Sequence, residues 1–270
     1  MLDPTPDLLA SSGQRSDRSA RSAKRHAKPT EGPPGGQVTS GWRILRAVAE
    51  EYDALQGYRI AAGNRARYAE VTELNDLSAR TEGIEHSLGI LLTRTYRQVV
   101  PAEIRAWQRA QLGIGELQLA RLLGHLGHPR IATPHHWEGT GSDRELVDDE
   151  PYERTVGQLW AYCGRTGERR AAKGMSAEEA AQLGKPLLKM LTHLIAEAMI
   201  KAGVRQTSKP NDADDYDLDA RTAISPWGRL YLDQRKINAE RLDWSRGHQH
   251  NAARHRVAKE MLKQLWLVSA

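Results

Sequence analysis

The chain has a single cysteine, Cys163, among its 270 residues. One thiol excludes a disulfide framework and any cysteine-based zinc site, and it fits a reducing cytosol. Long hydrophobic runs are missing as well. No segment reaches the roughly 18 apolar residues of a membrane span. The opening MLDPTPDLLASS lacks the basic and apolar regions of a secretory signal. The expected setting is therefore cytoplasmic, with no membrane partner. Large apolar side chains are also scarce between Ala10 and Ser40, where SSGQRSDRSARSAKRHAKPTEGPPGGQVTS holds Gly, Ser, Pro, Thr and basic residues. Burial cannot offset the entropy of ordering such a segment, so residues 1–40 are expected to form a disordered basic tail.

What is present is positive charge in clusters. The net charge is only +5, but Arg15, Arg18, Arg21, Lys24, Arg25 and Lys28 crowd the tail, and a second group fills the last forty residues. Two acidic insertions, 138–151 and 208–222, dilute the total. Clustered arginine points to a polyanion such as nucleic acid.

From Gly41 onward the periodicity is helical. Leu45, Val48, Tyr52 and Leu55 line one face, and Leu74, Leu77, Thr81, Ile84, Leu88 and Leu91 continue a seven-residue rhythm. Residues 41–98 thus read as an antiparallel helical hairpin or coiled coil, an element suited to homo-oligomer formation. Pro101 opens PAEIRAWQRAQL, Gly113 ends it, and Glu116 starts another apolar stripe through Leu119, Leu122, Leu123 and Leu126. Further helices are expected at 155–162, 177–202, 227–242 and 249–268. No strand is evident, and the fold class is all-α.

The turn QLGIGEL is the most informative stretch. Gly113, Ile114 and Gly115 permit a tight turn that presents backbone N–H groups, and the helix that follows adds its own unpaired amides and positive dipole end. Oriented amides hold one phosphate without reading a base. Glu116 stands at the lip, where its carboxylate would repel that phosphate unless it turns away. In the last helices Arg235, Lys236, Arg246, Arg254, Arg256 and Lys259 could follow a phosphate backbone, with Trp227, Trp244 or histidines for stacking. The histidines at 125, 128, 135, 136, 248, 250 and 255 lack the convergent carboxylates or cysteines of a metal set and are read as surface or DNA-facing, and no metal site is expected.

The LGIGELQLA stretch resembles the helix-hairpin-helix DNA-binding motif over Val99–Gly127. Together with WAYCG (160–164), LGKPLLKML (183–191) and NAARHRVAKEMLKQLW (251–266), it resembles the C-terminal domain of the insertion-sequence "one-ten" transposases, the bridge-RNA-guided recombinases. Upstream, YRIAAGNRARYAE is similar to the helical coil that precedes this domain in the family. The resemblance spans roughly residues 41–270, with 99–270 as the helix-hairpin-helix domain. It implies a transposition or recombination context, nucleoid-associated in a bacterial or phage-encoded setting, with double-stranded or branched DNA and a guide RNA as partners.

This chain departs from the family pattern in two places. Residues 1–110 lack the strands and acidic motif of the family's metal-binding RNase H-like half. Near the position of its nucleophilic serine stand Ala171 and Ala172, and Ser176 reads as a helix N-cap. The expectation is a catalytically incomplete member that grips the nucleic-acid backbone, with no catalytic residue assigned and no cofactor in this chain. A helical scaffold or regulator with protein partners, whose glycine corner is only architectural, is the alternative.

Overall fold

A computed structural model describes residues 36–270 apart from 70–71, 141–142, 167–173, 177–178, 180–182, 208–217 and 219. The expected basic tail lies outside the described residues up to 35, but residues 36–40 already belong to the first helix. Its N-terminus therefore precedes the expected boundary at Gly41. The described residues contain α1 (Gly36–Ala69), α2 (Thr72–Val99), α3 (Ala102–Ala110), α4 (Glu116–Leu126), α5 (Val156–Tyr162), α6 (Pro186–Gly203), α7 (Pro226–Ala239) and α8 (Arg246–Val268). The architecture is helical, as the periodicity predicts.

Helices α1 and α2 form an antiparallel hairpin. Gly41 faces Val99 at one end, Tyr52 and Gln56 bond Glu85 in the middle, and Ser78 donates to the Arg59 carbonyl further out. Both helices pass through their glycines unbroken. Gly89 is buried because Tyr52 and Leu117 close over it, and Gly124 of α4 lets that helix press onto Ala49 and the Leu45 backbone of α1. Charge completes the joint: Arg121 and His125 of α4 both pair with Asp53, His125 at 2.6 Å. The 41–98 and 99–270 segments accordingly share one core. Leu45, Leu92, Tyr96 and Ile104 are fully buried in the same cluster as Leu119, Leu188, Met199, Met261 and Leu265. Each such side chain contributes about 2 kcal/mol through area removed from water.

The expectation of no strands is corrected by three two-stranded antiparallel ladders. The first acidic insertion, 138–151, falls within a β-hairpin and includes its third strand. In it β1 (Ile131–Ala132) pairs with β4 (Tyr152–Glu153), and β2 (His135–Glu138) pairs with β3 (Glu145–Asp148). The Asp149 amide bonds the Pro134 carbonyl between the two ladders. The second insertion is closed at its stem by β5 (Val204–Gln206) against β6 (Arg221–Ala223). Runs of two to four residues are too short to show a period of two, so pairing rather than pattern makes them strands.

Glycine sets the packing of the last three long helices. Gly203 at the end of α6 and Gly228 at the start of α7 touch backbone to backbone, and a Cβ on Gly228 would overlap the Gly203 carbonyl. Ser225 caps α7 by accepting from the Gly228 amide. Helix α8 buries Ala253, Val257, Ala258, Met261, Leu262 and Leu265. Two indoles pin its far side: Trp160 donates to the Lys259 carbonyl at 2.9 Å, and Trp266 donates to the Arg154 carbonyl at 2.7 Å.

Candidate nucleic-acid interface

The turn between α3 and α4 is built as its sequence requires. Gly113 has φ +87°, a left-handed conformation that suits glycine. A Cβ there would also lie 2.5 Å from the Ala198 carbonyl and 2.7 Å from the Met199 Cα of α6. Ile114 turns inward and is buried, and its carbonyl accepts from Gln108 Nε2 at 2.7 Å. Gly115 is exposed and extended, at φ −80° and ψ 155°. As the N-cap of α4 it offers no side-chain acceptor, while its own amide is taken by Gln118 Oε1. The start of α4 therefore presents main-chain donors and no competing side-chain oxygen from the cap residue.

Glu116 is drawn away from this donor surface. Its carboxylate pairs with Arg97 of α2 through both Nε, at 2.9 Å, and Nη2. The pair leaves Arg97 exposed beside the turn, so the acid at the lip is neutralised by a cation nineteen residues away. Nothing local in the sequence signals that partnership.

The basic residues expected to line the interface divide. Lys236, Arg246 and Arg256 are exposed, and Lys259 is half-buried with its ammonium 4.1 Å above the Trp160 ring. Arg256, Lys259 and Lys263 share one outward face of α8 at spacings of three and four. Arg254 is turned inward to Glu197 at 2.6 Å. Arg235 is only 3% exposed, with Nη1 donating to the Tyr231 hydroxyl at 3.1 Å. Its place is in the interior of α7, not on a phosphate-facing surface. Trp227 is likewise buried, and its indole donates to Gln111 at 2.8 Å beneath the turn, so it offers no face for stacking. Trp244 carries the His248 ring stacked at 4.1 Å and the Arg241 guanidinium at 4.5 Å.

Several of the histidines read as surface groups prove to be internal. His125 holds Asp53. His128 Nδ1 accepts from the amides of Arg130 and Ile131, and burial, with Arg154 and Arg130 nearby, lowers its pKa to about 4. His250 Nδ1 lies 2.7 Å from the Tyr231 hydroxyl. His255 Nε2 lies 3.1 Å from the Arg165 carbonyl, and burial beside Arg165 lowers its pKa to about 4. None of these hydrogen bonds was visible in the sequence.

Two buried arginines were missed entirely, because in sequence an isolated arginine reads as surface charge. Arg154 Nη2 donates to the Leu126, His128 and Ile131 carbonyls and closes the C-terminal end of α4. Arg165 bonds the Thr192 hydroxyl at 2.7 Å and the Lys189 carbonyl at 2.6 Å. It stands at the neck of the excursion between α5 and α6. There Gly164, with φ +63°, and Gly184, with φ +84°, meet backbone to backbone, so that a Cβ on Gly184 would lie 2.5 Å from the Gly164 nitrogen. Lys185 closes the neck by donating its amide to the Tyr162 carbonyl.

Ala171 and Ala172, where the resembling family carries its nucleophile, lie outside the described residues. Ser176 accepts from the Glu179 amide while Glu179 accepts from the Ser176 amide, a reciprocal capping box that bears out the N-cap reading. Cys163 is buried, which pushes its thiol up to about 12 and removes it as a nucleophile at neutral pH. Among the described residues no group of three or more His, Cys, Asp or Glu could hold a metal, and no helix is long and apolar enough to cross a membrane. The chain matches no protein-family model and no curated protein.

Proposed function

We propose that the chain is a transposase-related nucleic-acid-binding protein that grips a phosphate backbone at the Gly113–Gly115 turn, without strand-transfer chemistry of its own. The supporting observation is the divided turn. Gly113 and Ile114 anchor it inside, and Gly115 exposes main chain at the start of α4 while Arg97 holds Glu116 aside. A site of this kind binds the backbone of double-stranded or branched DNA irrespective of sequence. Lys236, Arg246, Arg256 and Lys259 extend the contact, whereas Arg235 and Arg254 serve the fold. A guide RNA as a second nucleic-acid partner, a recombination context and self-association through α1 and α2 complete the reading.

A scaffold with protein partners is the second reading. It draws on the contact of Gly113 with the α6 backbone, which alone would require glycine. Fluorescence anisotropy on short duplex, branched and single-stranded DNA across a salt series separates the two. Phosphate contacts give a slope of about −0.9 per contact in log–log form. Gly115→Val leaves the interior contacts in place, so binding lost in that variant supports the grip. Binding that is absent in the full chain, or unchanged in Gly115→Val, favours the scaffold.

A further inference from the structure

One chain of polar side chains crosses from α7 through α8 to α6. On α7, Arg235 and Tyr231 are 3% and 2% exposed, and Arg235 Nη1 donates to the Tyr231 hydroxyl oxygen at 3.1 Å. On α8, His250 Nδ1 lies 2.7 Å from the same hydroxyl, and the two rings meet edge to face with centroids 5.7 Å apart. The other ring nitrogen, Nε2, lies 3.8 Å from Oε2 of Glu197 on α6, beyond hydrogen-bond reach. Glu197 also accepts from Arg254 Nη1 at 2.6 Å, and Lys201 Nζ stands 3.5 Å from its other oxygen. An ionised carboxylate has about four lone-pair sites, so these partners leave room for a further donor.

The donors fix where the protons sit. A phenol has a single proton to give. Because the Tyr231 oxygen accepts from Arg235, that proton is directed to His250 Nδ1; the reverse assignment leaves a buried hydroxyl proton without an acceptor among the described residues. Nδ1 is therefore the bare nitrogen, and the neutral ring carries its proton on Nε2, the nitrogen nearer Glu197. A second proton has only Nδ1 to occupy. There it displaces the Tyr231 proton and sets an imidazolium against an oxygen already bonded to a guanidinium. Across the ring, Glu197 offers the imidazolium an anion in exchange.

We infer that His250 is a proton-operated latch: in its neutral form it fastens α8 to α7 through Tyr231, and on protonation it releases Tyr231 and closes on Glu197 of α6. Among the described residues, the titratable and charged groups around it are Glu197, Lys201 and His193 on α6, Tyr231 and Arg235 on α7, Arg254 on α8 and Arg221 on β6. Burial, then Arg254 and the other cations, hold the imidazole below its usual pKa against the pull of Glu197. The latch is accordingly closed on Tyr231 at neutral pH and switches in the acid range, whether or not the chain binds nucleic acid.

Histidine-nitrogen NMR of the full chain tests this, with His250→Gln used to assign the signal. At neutral pH the ring is expected to be protonated on Nε2 and to show proton–proton contacts with Tyr231. As pH falls through the His250 midpoint, expected below 6.5, those contacts should vanish and contacts with the Glu197 methylenes should replace them. Tyr231→Phe removes a donor that binds only the neutral ring, so the proton affinity of His250 should rise about tenfold. Glu197→Gln removes the anion and should lower it about tenfold. Residues that merely pack would not give opposite shifts from two conservative changes, and circular dichroism checks that both variants fold. A neutral ring protonated on Nδ1 overturns the proposal. So do Tyr231 contacts that persist through the titration, unchanged or weaker proton affinity in Tyr231→Phe, or unchanged or stronger affinity in Glu197→Gln. The wild-type tautomer and contacts decide alone where a variant fails to fold.

Discussion

The two ends of the core are joined by different physics. Where α1, α2 and α4 meet, charge completes the close approach at Gly124. Glu85 is buried and held by Arg59, Gln56 and Tyr52, and Asp53 is shared by Arg121 and His125. Where α6, α7 and the turn meet, the joint is steric: Gly203 lies on Gly228, and Gly113 lies on the α6 backbone. The first kind of joint is directional and responds to protons; the second depends on the absence of an atom and responds only to mutation. The comparison teaches why glycine-rich sequence here need not mean flexibility. These glycines are where backbones approach most closely.

The largest effect should come from the steric joint. Gly228→Val places side-chain carbon on the Gly203 carbonyl, and the expected loss exceeds about 4 kcal/mol, because backbone on both sides must move. Soluble yield and a urea midpoint measure it, and a midpoint within experimental scatter of wild type would break the comparison. Glu85→Ala tests the charged joint. It leaves the part-buried Arg59 guanidinium without its main acceptor, and a loss of about 2–3 kcal/mol is expected.

The charged and buried polar groups should also make the fold acid-sensitive. Hydrogen bonding to Arg59 holds the Glu85 carboxyl below its usual pKa, so its stabilisation is present above about pH 4.5 and is lost as pH falls through the lower folded value. His128 and His255 are held neutral, with folded values near 4 against 6.5. Their contribution is complete above pH 6.5 and declines progressively towards pH 4, where the unfolded chain binds protons that the folded chain refuses. Thermal melts between pH 7 and 4 should therefore fall in Tm, and His255→Gln should flatten the upper part of that decline. The smallest stability effect belongs to Gly115→Val, about 1 kcal/mol for a poorer N-cap, because a Cβ at Gly115 meets only the Gln118 amide oxygen at 3.9 Å.

Helices and glycines were legible in the sequence for reasons that the packing explains. Leu119, Leu122, Leu123 and Leu126 are spaced for one helical face, and they are buried on it. The turn at Gly113 was legible as a turn. That its glycine also admits the α6 backbone was not, because Ala198 is eighty-five residues away. The exposure of the basic residues expected at an interface was half legible. Arg256 and Lys236 are exposed as basic helix positions usually are, but Arg235, one residue from Lys236, rotates into the interior and finds Tyr231. Sequence assigns charge to a helix, and only packing assigns it to a side. The strands were illegible because Ile131–Ala132 and Tyr152–Glu153 are each two residues long.

The neck at Gly164 and Gly184 has a consequence for how such a protein changes over time. Arg165, the Lys185 amide and the two glycines fasten the ends of the intervening stretch to α5 and α6. Because closing a longer loop adds only about 0.6 kcal/mol per doubling of its length, the stretch between can be lengthened, shortened or rewritten without disturbing the helices that carry it. The neck makes the junction of α5 and α6 independent of the residues strung between them: a lineage can rewrite that stretch while both helices keep their places.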